Sequence, residues 1–145
     1  MIAKPTPRIQ FGALPYRRDP DNALGVLLIT SRQTRRWIIP KGWPMANLPP
    51  FQAAAREALE EAGLIGRIGE SAIGSYRYAK RLDTGETVDC EVSVFGLEVE
   101  EQLSSWPEQH ERKSLWFSIE EAAEAVQETG LRTIILGLSS LLAQR

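Results

Sequence analysis

Three glutamates at close spacing carry the clearest chemistry in the sequence: Glu57, Glu60 and Glu61 stand at i, i+3 and i+4. On a helix this spacing puts all three carboxylates on one hydrophilic face about a turn long. Like charges so placed repel by a few tenths of a kcal/mol per exposed pair, and a helix gains nothing structural from keeping them together. A hard divalent cation removes the conflict. Mg²⁺ takes oxygen ligands from one or two carboxylates, a backbone carbonyl, waters and substrate phosphate. The competing reading is a solvated acidic face paired with Arg56. Two features of the setting argue against it: Gly42 precedes the helix, and cations gather in the neighbouring segments. These cations are Arg17 and Arg18, then Arg32, Arg35, Arg36 and Lys41, and later Arg77, Lys80 and Arg81. Taken singly, each is as readily a solvated surface charge as a ligand. Clustering before a metal-binding face favours phosphate.

The elements that must position these groups follow from pattern. Pro49 and Pro50 suit the first turn of a helix, and Phe51 to Ala62 continues with good helix formers until Gly63 supplies a stop. Ala54, Ala58 and Ala62, with Phe51 and Leu59 beside them, offer the opposite face to a core. Ile9 to Leu14, Leu24 to Thr30 and Trp37 to Ile39 read as a meander of strands, separated by the turn-rich 18–22 and by Gln33-Thr34. Val88, Cys90, Val92 and Val94 alternate with polar residues, so Thr87 to Val99 reads as a long strand, with Ile73 to Ala79 its partner across Asp83-Thr84-Gly85. Lys113 to Phe117 is a shorter strand. Ser118 caps a helix from Ile119 to Gln127 with Glu121 at the capping-box position, and a last helix covers Leu131 to Leu142. Strands, helix, strands and two helices imply a mixed sheet with helices packed against it, an α/β (α+β) sandwich.

The segment from Gly42 to Leu64 resembles the Nudix box: Gly, five residues, Glu, seven residues, then Arg-Glu-apolar-x-Glu-Glu-x-Gly-apolar. Gly42, Arg56, Glu57, Ala58, Glu60, Glu61, Gly63 and Leu64 match in register, and Leu48 departs from it where the pattern has its first glutamate. Ser31-Arg32, the run from Arg36 to Gly42, and the run from Arg112 to Glu120 resemble the diphosphoinositol polyphosphate and diadenosine polyphosphate hydrolase branch of that family; with the fold, the similarity covers about residues 8 to 128. The resemblance implies a Nudix-type α/β/α sandwich and an Mg²⁺-dependent pyrophosphohydrolase, with Mn²⁺ as the alternative ion. It implies that Glu57, Glu61 and the carbonyl of Gly42 hold the metal, and that Glu60 holds a second ion or takes the proton of the attacking water. A further acidic residue often completes such sites, and Glu108 and Glu111 are equal candidates for it. Arg32, Arg36 and Lys41 are the first choices for phosphate, since guanidinium forks match phosphate oxygens. Arg77 and Lys80, with Arg81, come second. Trp43 is open to a substrate role, whereas Trp37 reads first as a core residue of its strand. His110 reads as a solvated loop residue or minor substrate contact, and Cys90 as a buried structural thiol. The implied substrate is a dinucleoside polyphosphate or inositol pyrophosphate. Nucleotide or RNA 5′-end pyrophosphate hydrolysis, or non-catalytic ligand binding, are the alternatives.

Size and composition are consistent with this. The chain has 145 residues, 43% hydrophobic and 25% charged, which fits one domain over 1–145 with a core of its own. A net charge of −2 gives no general attraction to nucleic acid or anionic lipid. No apolar run reaches the ~20 residues of a membrane helix. The stretch from Met1 to Pro7 lacks the apolar core of a signal peptide and the lone Cys90 has no disulfide partner, so a cytoplasmic protein is expected, monomer or homodimer.

Overall fold

The structure, a computed structural model, describes residues 6–144; the first five residues of the N-terminal stretch and Arg145 lie outside the described residues. The chain runs β1 (Arg8–Arg18), β2 (Leu24–Thr30), β3 (Trp37–Ile38), β4 (Lys41–Gly42), α1 (Pro50–Ala62), β5 (Leu64–Ile68), β6 (Gly74–Arg81), β7 (Thr87–Gln102), β8 (Ser114–Ser118), α2 (Ile119–Ala125) and α3 (Thr129–Ala143). One mixed sheet joins all the strands in the order β3-β2-β1-β7-β5, with β4 on β1, β6 on β7 and β8 on β2. Its parallel pair is β1 with β7, Arg8 to Tyr16 against Cys90 to Glu98, and the other pairings are antiparallel.

The central strands are buried on both faces, which explains their near-continuous apolar runs. Leu14, Tyr16, Val26, Leu28, Val92 and Val94 point to one side, where α2 and α3 add Ile119, Ala122, Leu131, Ile135 and Leu138. Ala13, Leu27, Ile29, Phe95 and Leu97 point to the other, against Ala54, Ala58 and Ala62 of α1. The molecule is thus the expected α/β/α sandwich. The fully buried alanines bring the α1 backbone close to the sheet. Widening one, as in Ala58→Leu, would overpack this face at a cost of about 1–3 kcal/mol. Phe51 packs at the edge of the same cluster, while Leu59 is half-buried outside it.

Two strands were not anticipated. β4 has only two residues, too few to show a period, and follows Ile39-Pro40, where Pro interrupts the run. β5 begins directly at the left-handed turn of Gly63 and pairs with β7 across a bulge at Ile65/Gly66, which obscures its alternation. The helix expected to reach Gln127 stops at Ala125, because Val126 takes up an extended conformation (ψ 149°) and is buried under α3. Ser118 and Glu121 form the anticipated reciprocal cap. Trp37 is partly buried and packs against the core, its ring edge-on to Phe117 at 5.0 Å. Among the described residues no helix is long and apolar enough to cross a membrane.

Candidate active site

Helix α1 begins on Pro49-Pro50, whose fixed φ suits the first turn, and ends where Gly63 adopts φ 68°, a conformation that strains any other residue except Asn or Asp. Between these ends the glutamates are unequally placed. Glu60 is half-exposed on the cleft wall and Glu57 half-buried, but Glu61 is only 6% exposed. The shared hydrophilic face is therefore a correction for Glu61, which lies inward because β4 crosses in front of it. The Lys41 backbone N–H donates to Glu61 Oε1 at 3.4 Å. A Cβ at Gly42 would overlap the Glu57 carboxylate, so glycine is what lets the strand approach the helix. Glu57 and Glu61 also share a side-chain hydrogen bond. Burial, and then that bond, push the Glu61 carboxyl up to about 9 against the opposing Arg112. Burial also raises Glu57, with the Glu61 bond opposing. The pair holds a proton in the absence of other cations.

The 103–113 loop is docked on the C-terminal end of α1, where helix carbonyls lack intrahelical partners. Glu108 N donates to Glu60 O at 3.0 Å, Leu103 N to Gly63 O at 2.8 Å and Gln102 Nε2 to Ala62 O at 3.0 Å. The Trp106 ring lies where a Cβ on Gly63 would be. This docking aims Glu108 into the cleft and leaves Glu111 outside it, paired instead with Arg32 at 3.1 Å. Between them Arg112, with its side chain 8% exposed, donates to Glu108 Oε1 at 2.9 Å and to Thr30 O at 3.1 Å, and stands 3.8 Å from Glu61 Oε1. Sequence reasoning missed it. Its only signal was position within the Arg112 to Glu120 run. Arg56, the partner in the competing reading of a solvated acidic face, is exposed and makes no ion pair among the described residues.

One cleft of about 680 Å³ brings these carboxylates together with most of the candidate cations. Arg32, Arg36, Lys41, Trp43 and Lys80 all line it, as does Arg81. Lys41 places its ammonium 4.9 Å over the Tyr78 ring, and burial lowers it to about 8 against the attraction of Glu61. Arg36 donates to Gln127 at 2.9 Å and faces Glu128 at 3.4 Å, so part of its charge is engaged by the α2–α3 connection. Lys80 stands 6.0 Å over the half-exposed Trp43. Arg77 is not brought to the cleft. It precedes Tyr78 and so projects from the other face of β6, where it pairs with Glu91 at 3.5 Å. His110 is exposed in its loop and outside the cleft lining, and Cys90 is fully buried.

A NUDIX domain profile matches residues 6–136. The chain belongs to the Nudix hydrolase family. Nudix hydrolase 13, mitochondrial, of Arabidopsis thaliana is 33% identical over 133 residues, 81% of this chain and 66% of that protein. Diphosphoinositol polyphosphate phosphohydrolase 3-alpha of Mus musculus is 34% identical over 116 residues, 79% of this chain and 66% of that protein. The chain spans just under two thirds of the length of the first of these relatives. A binary complex of the C. elegans Ap4A hydrolase has the same fold, with TM-score 0.70 and 21% identity over 95% of this chain and 99% of that one.

Members of this Nudix family are expected to use a divalent cation, and the donor chemistry here fits one. Among the described residues no three acidic, histidine or cysteine side chains converge on a single cation position. Mg²⁺ does not need three, because it keeps several waters and takes one or two carboxylates plus substrate phosphates. The Glu57–Glu61 pair, held together by a proton a cation would displace and pressed against Gly42, supplies such a foothold.

Proposed function

We propose that this Nudix hydrolase is an Mg²⁺-dependent pyrophosphohydrolase that cleaves a diphosphate linkage in a small molecule with several phosphates, a dinucleoside polyphosphate or an inositol pyrophosphate. The observation that carries the reading is a single cleft lined by both kinds of charge: Glu57, Glu60, Glu61 and Glu108 line it together with Arg32, Arg36, Lys41 and Lys80. An ester or glycoside would need no such array, whereas a phosphate chain presents one or more anionic oxygens at each phosphorus.

Glu57 and Glu61, with the Gly42 carbonyl, would hold the ion, which when bound supplies charge neutralisation at the phosphoryl oxygens and the leaving phosphate. The chain's own residues do the rest. Glu60, half-exposed on the cleft wall, takes the proton of the attacking water. The water oxygen bonds to phosphorus as the anhydride P–O bond breaks, with the electron pair of the broken bond going to the departing phosphate. A positioned base contributes about 10²–10⁴ in rate. Glu108, anchored by Arg112, is the better-placed candidate for an additional ligand, since Glu111 is turned outward to Arg32. Lys41 and the arginines grip the phosphates that do not react. No phosphoenzyme is required.

Phosphate release from a panel of dinucleoside polyphosphates, inositol pyrophosphates, nucleoside triphosphates and 5′-triphosphate RNA, with and without Mg²⁺, tests the reading. Metal-dependent turnover favouring the longest phosphate chains is expected, and Glu60→Gln should lower it at least about a hundredfold without unfolding the protein. Equal rates in that variant would remove Glu60 from the mechanism. Absence of turnover across the panel would leave a ligand-binding protein.

A further inference from the structure

The cleft contains a buried polar side chain for which the reaction has no use. Gln10, on β1, is 2% exposed yet lines the cleft. Its Oε1 accepts a hydrogen bond from Tyr78 Oη at 2.5 Å, and its amide nitrogen has no partner among the described residues. A donor left unmet costs free energy comparable to a lost hydrogen bond, so this nitrogen takes its acceptor, water or a ligand oxygen, from the cleft. The nitrogen is not sealed from solvent. Among the described residues Trp106 Nε1 is the one side-chain polar atom both sealed and unpaired, so the Gln10 nitrogen opens onto the cleft.

Tyr78 fixes which end of the amide faces outward. Its hydroxyl donates to the carbonyl oxygen of Gln10, and that contact holds the carbonyl end inward. The NH₂ end is then presented to the ligand, with two N–H donors and no acceptor. The surroundings define what it meets. The Lys41 ammonium lies over the Tyr78 ring, Lys80 follows on the same strand, and Arg36 and Arg81 line the same cleft. An anionic oxygen satisfies both the amide and these cations, whereas an amino group on a base satisfies neither.

We propose that Gln10, oriented by Tyr78, is a specificity-determining residue whose amide N–H groups bind a phosphate oxygen of the substrate remote from the bond that breaks. The inference rests on the pyrophosphohydrolase reading and adds a neutral reader to its cationic wall. Binding at a non-reacting phosphate stabilises ground and transition states alike, so it appears in KM and leaves kcat unchanged.

The test uses the full chain with Mg²⁺ and bismethylene triphosphate, whose P–C–P links water does not cleave, with binding followed by titration calorimetry. Two variants are compared with wild type: Gln10→Met, which keeps the side-chain volume, and Gln10→Met with Tyr78→Phe, which also removes the hydroxyl that donates to Gln10. Both should raise the Kd of the probe roughly ten- to hundredfold. The KM of the best polyphosphate substrate should rise in step, with kcat within twofold of wild type. A probe Kd within twofold of wild type in the double variant overturns the proposal, since Gln10 would then either read a base or sugar or serve only as the partner of Tyr78. The second of these also predicts a lower melting temperature for the single variant that the double one recovers. Failure of the underlying reading looks different, because then wild type neither turns over the substrate panel nor binds the probe.

Discussion

Metal binding at the Glu57–Glu61 pair should expel a proton, and the structure sets the size of the effect. Glu61 is 6% exposed and its carboxyl is pushed up to about 9 by burial and then by its bond to Glu57. At pH 7 the pair thus carries a proton about two pH units below its titration point. Displacing it costs about 2.7 kcal/mol at ~1.36 kcal/mol per unit, or roughly a hundredfold in apparent affinity relative to pH above 9. The sign for stability follows from the same shift. Glu61 titrates near 4.5 when unfolded and near 9 when folded, so its contribution is fully present below 4.5 and is lost as pH rises to about 9. Titration calorimetry of Mg²⁺ or Mn²⁺ at pH 7 in two buffers of different ionisation heat counts the protons. About one per ion is expected, with apparent affinity rising about tenfold per pH unit between pH 6 and 8.5. The melting temperature of the metal-free protein should fall over the same range, and saturating metal should flatten that slope. Affinity independent of pH, with no proton released, would refute a protonated carboxylate pair as the metal's foothold.

Arg112→Met should cost about 1–3 kcal/mol of stability, because Glu108 would lose its charged partner and the Thr30 carbonyl its donor; melting temperature reads this directly. Leu48→Glu should change kcat/KM by less than about tenfold, since the box arginine that such a glutamate would meet, Arg56, is exposed and engages no carboxylate of the cleft; a larger gain would mean that the natural residue impairs the site. Arg36→Ala should raise KM most for the longest phosphate chains, by about tenfold at hexaphosphate length, with smaller losses on triphosphates because Glu128 and Gln127 already engage the guanidinium; equal losses on every substrate would make Arg36 a tether of the α2–α3 connection alone.

What could be read from the sequence was whatever repeats at a fixed local spacing. Glutamates at i, i+3 and i+4 define a helix face without any tertiary knowledge, and Gly63 and Ser118 mark helix ends through backbone conformation and capping that are themselves local. The alternation of Val88 to Val94 likewise announced β7, and with the helices it was enough for the layered sandwich. The spacing of the glutamates does not encode their inequality. Glu61 is sealed because a two-residue strand, β4, is drawn across it by pairing with β1 (Phe11 with Gly42, Gly12 with Lys41), a contact between segments thirty residues apart. Position near the metal helix in sequence grouped the cations too broadly. Strand parity separates Arg77 from Lys80, since residues an odd number apart on β6 face opposite ways, but it fails at the strand's end, where Arg81 shares Arg77's parity and still lines the cleft.

Arg112 and Gln10 show where local reading ends. Arg112 is fifty-one residues from Glu61 in the chain and reaches it because the 103–113 loop satisfies the carbonyls that α1 leaves free at its C-terminus. Gln10 sits between Ile9 and Phe11, where a polar residue fits ordinary strand alternation, and only its burial beside Tyr78 distinguishes it from a solvated glutamine. In both cases the informative quantity is the cost of burying a polar group, which depends on what the rest of the chain lays over it. A polar residue in this Nudix domain is therefore a candidate for function when its burial leaves a donor or charge with a partner still to find. By that measure Gln10, with a free amide facing the cleft, stands ahead of Arg77, whose charge is already met by Glu91 in solvent.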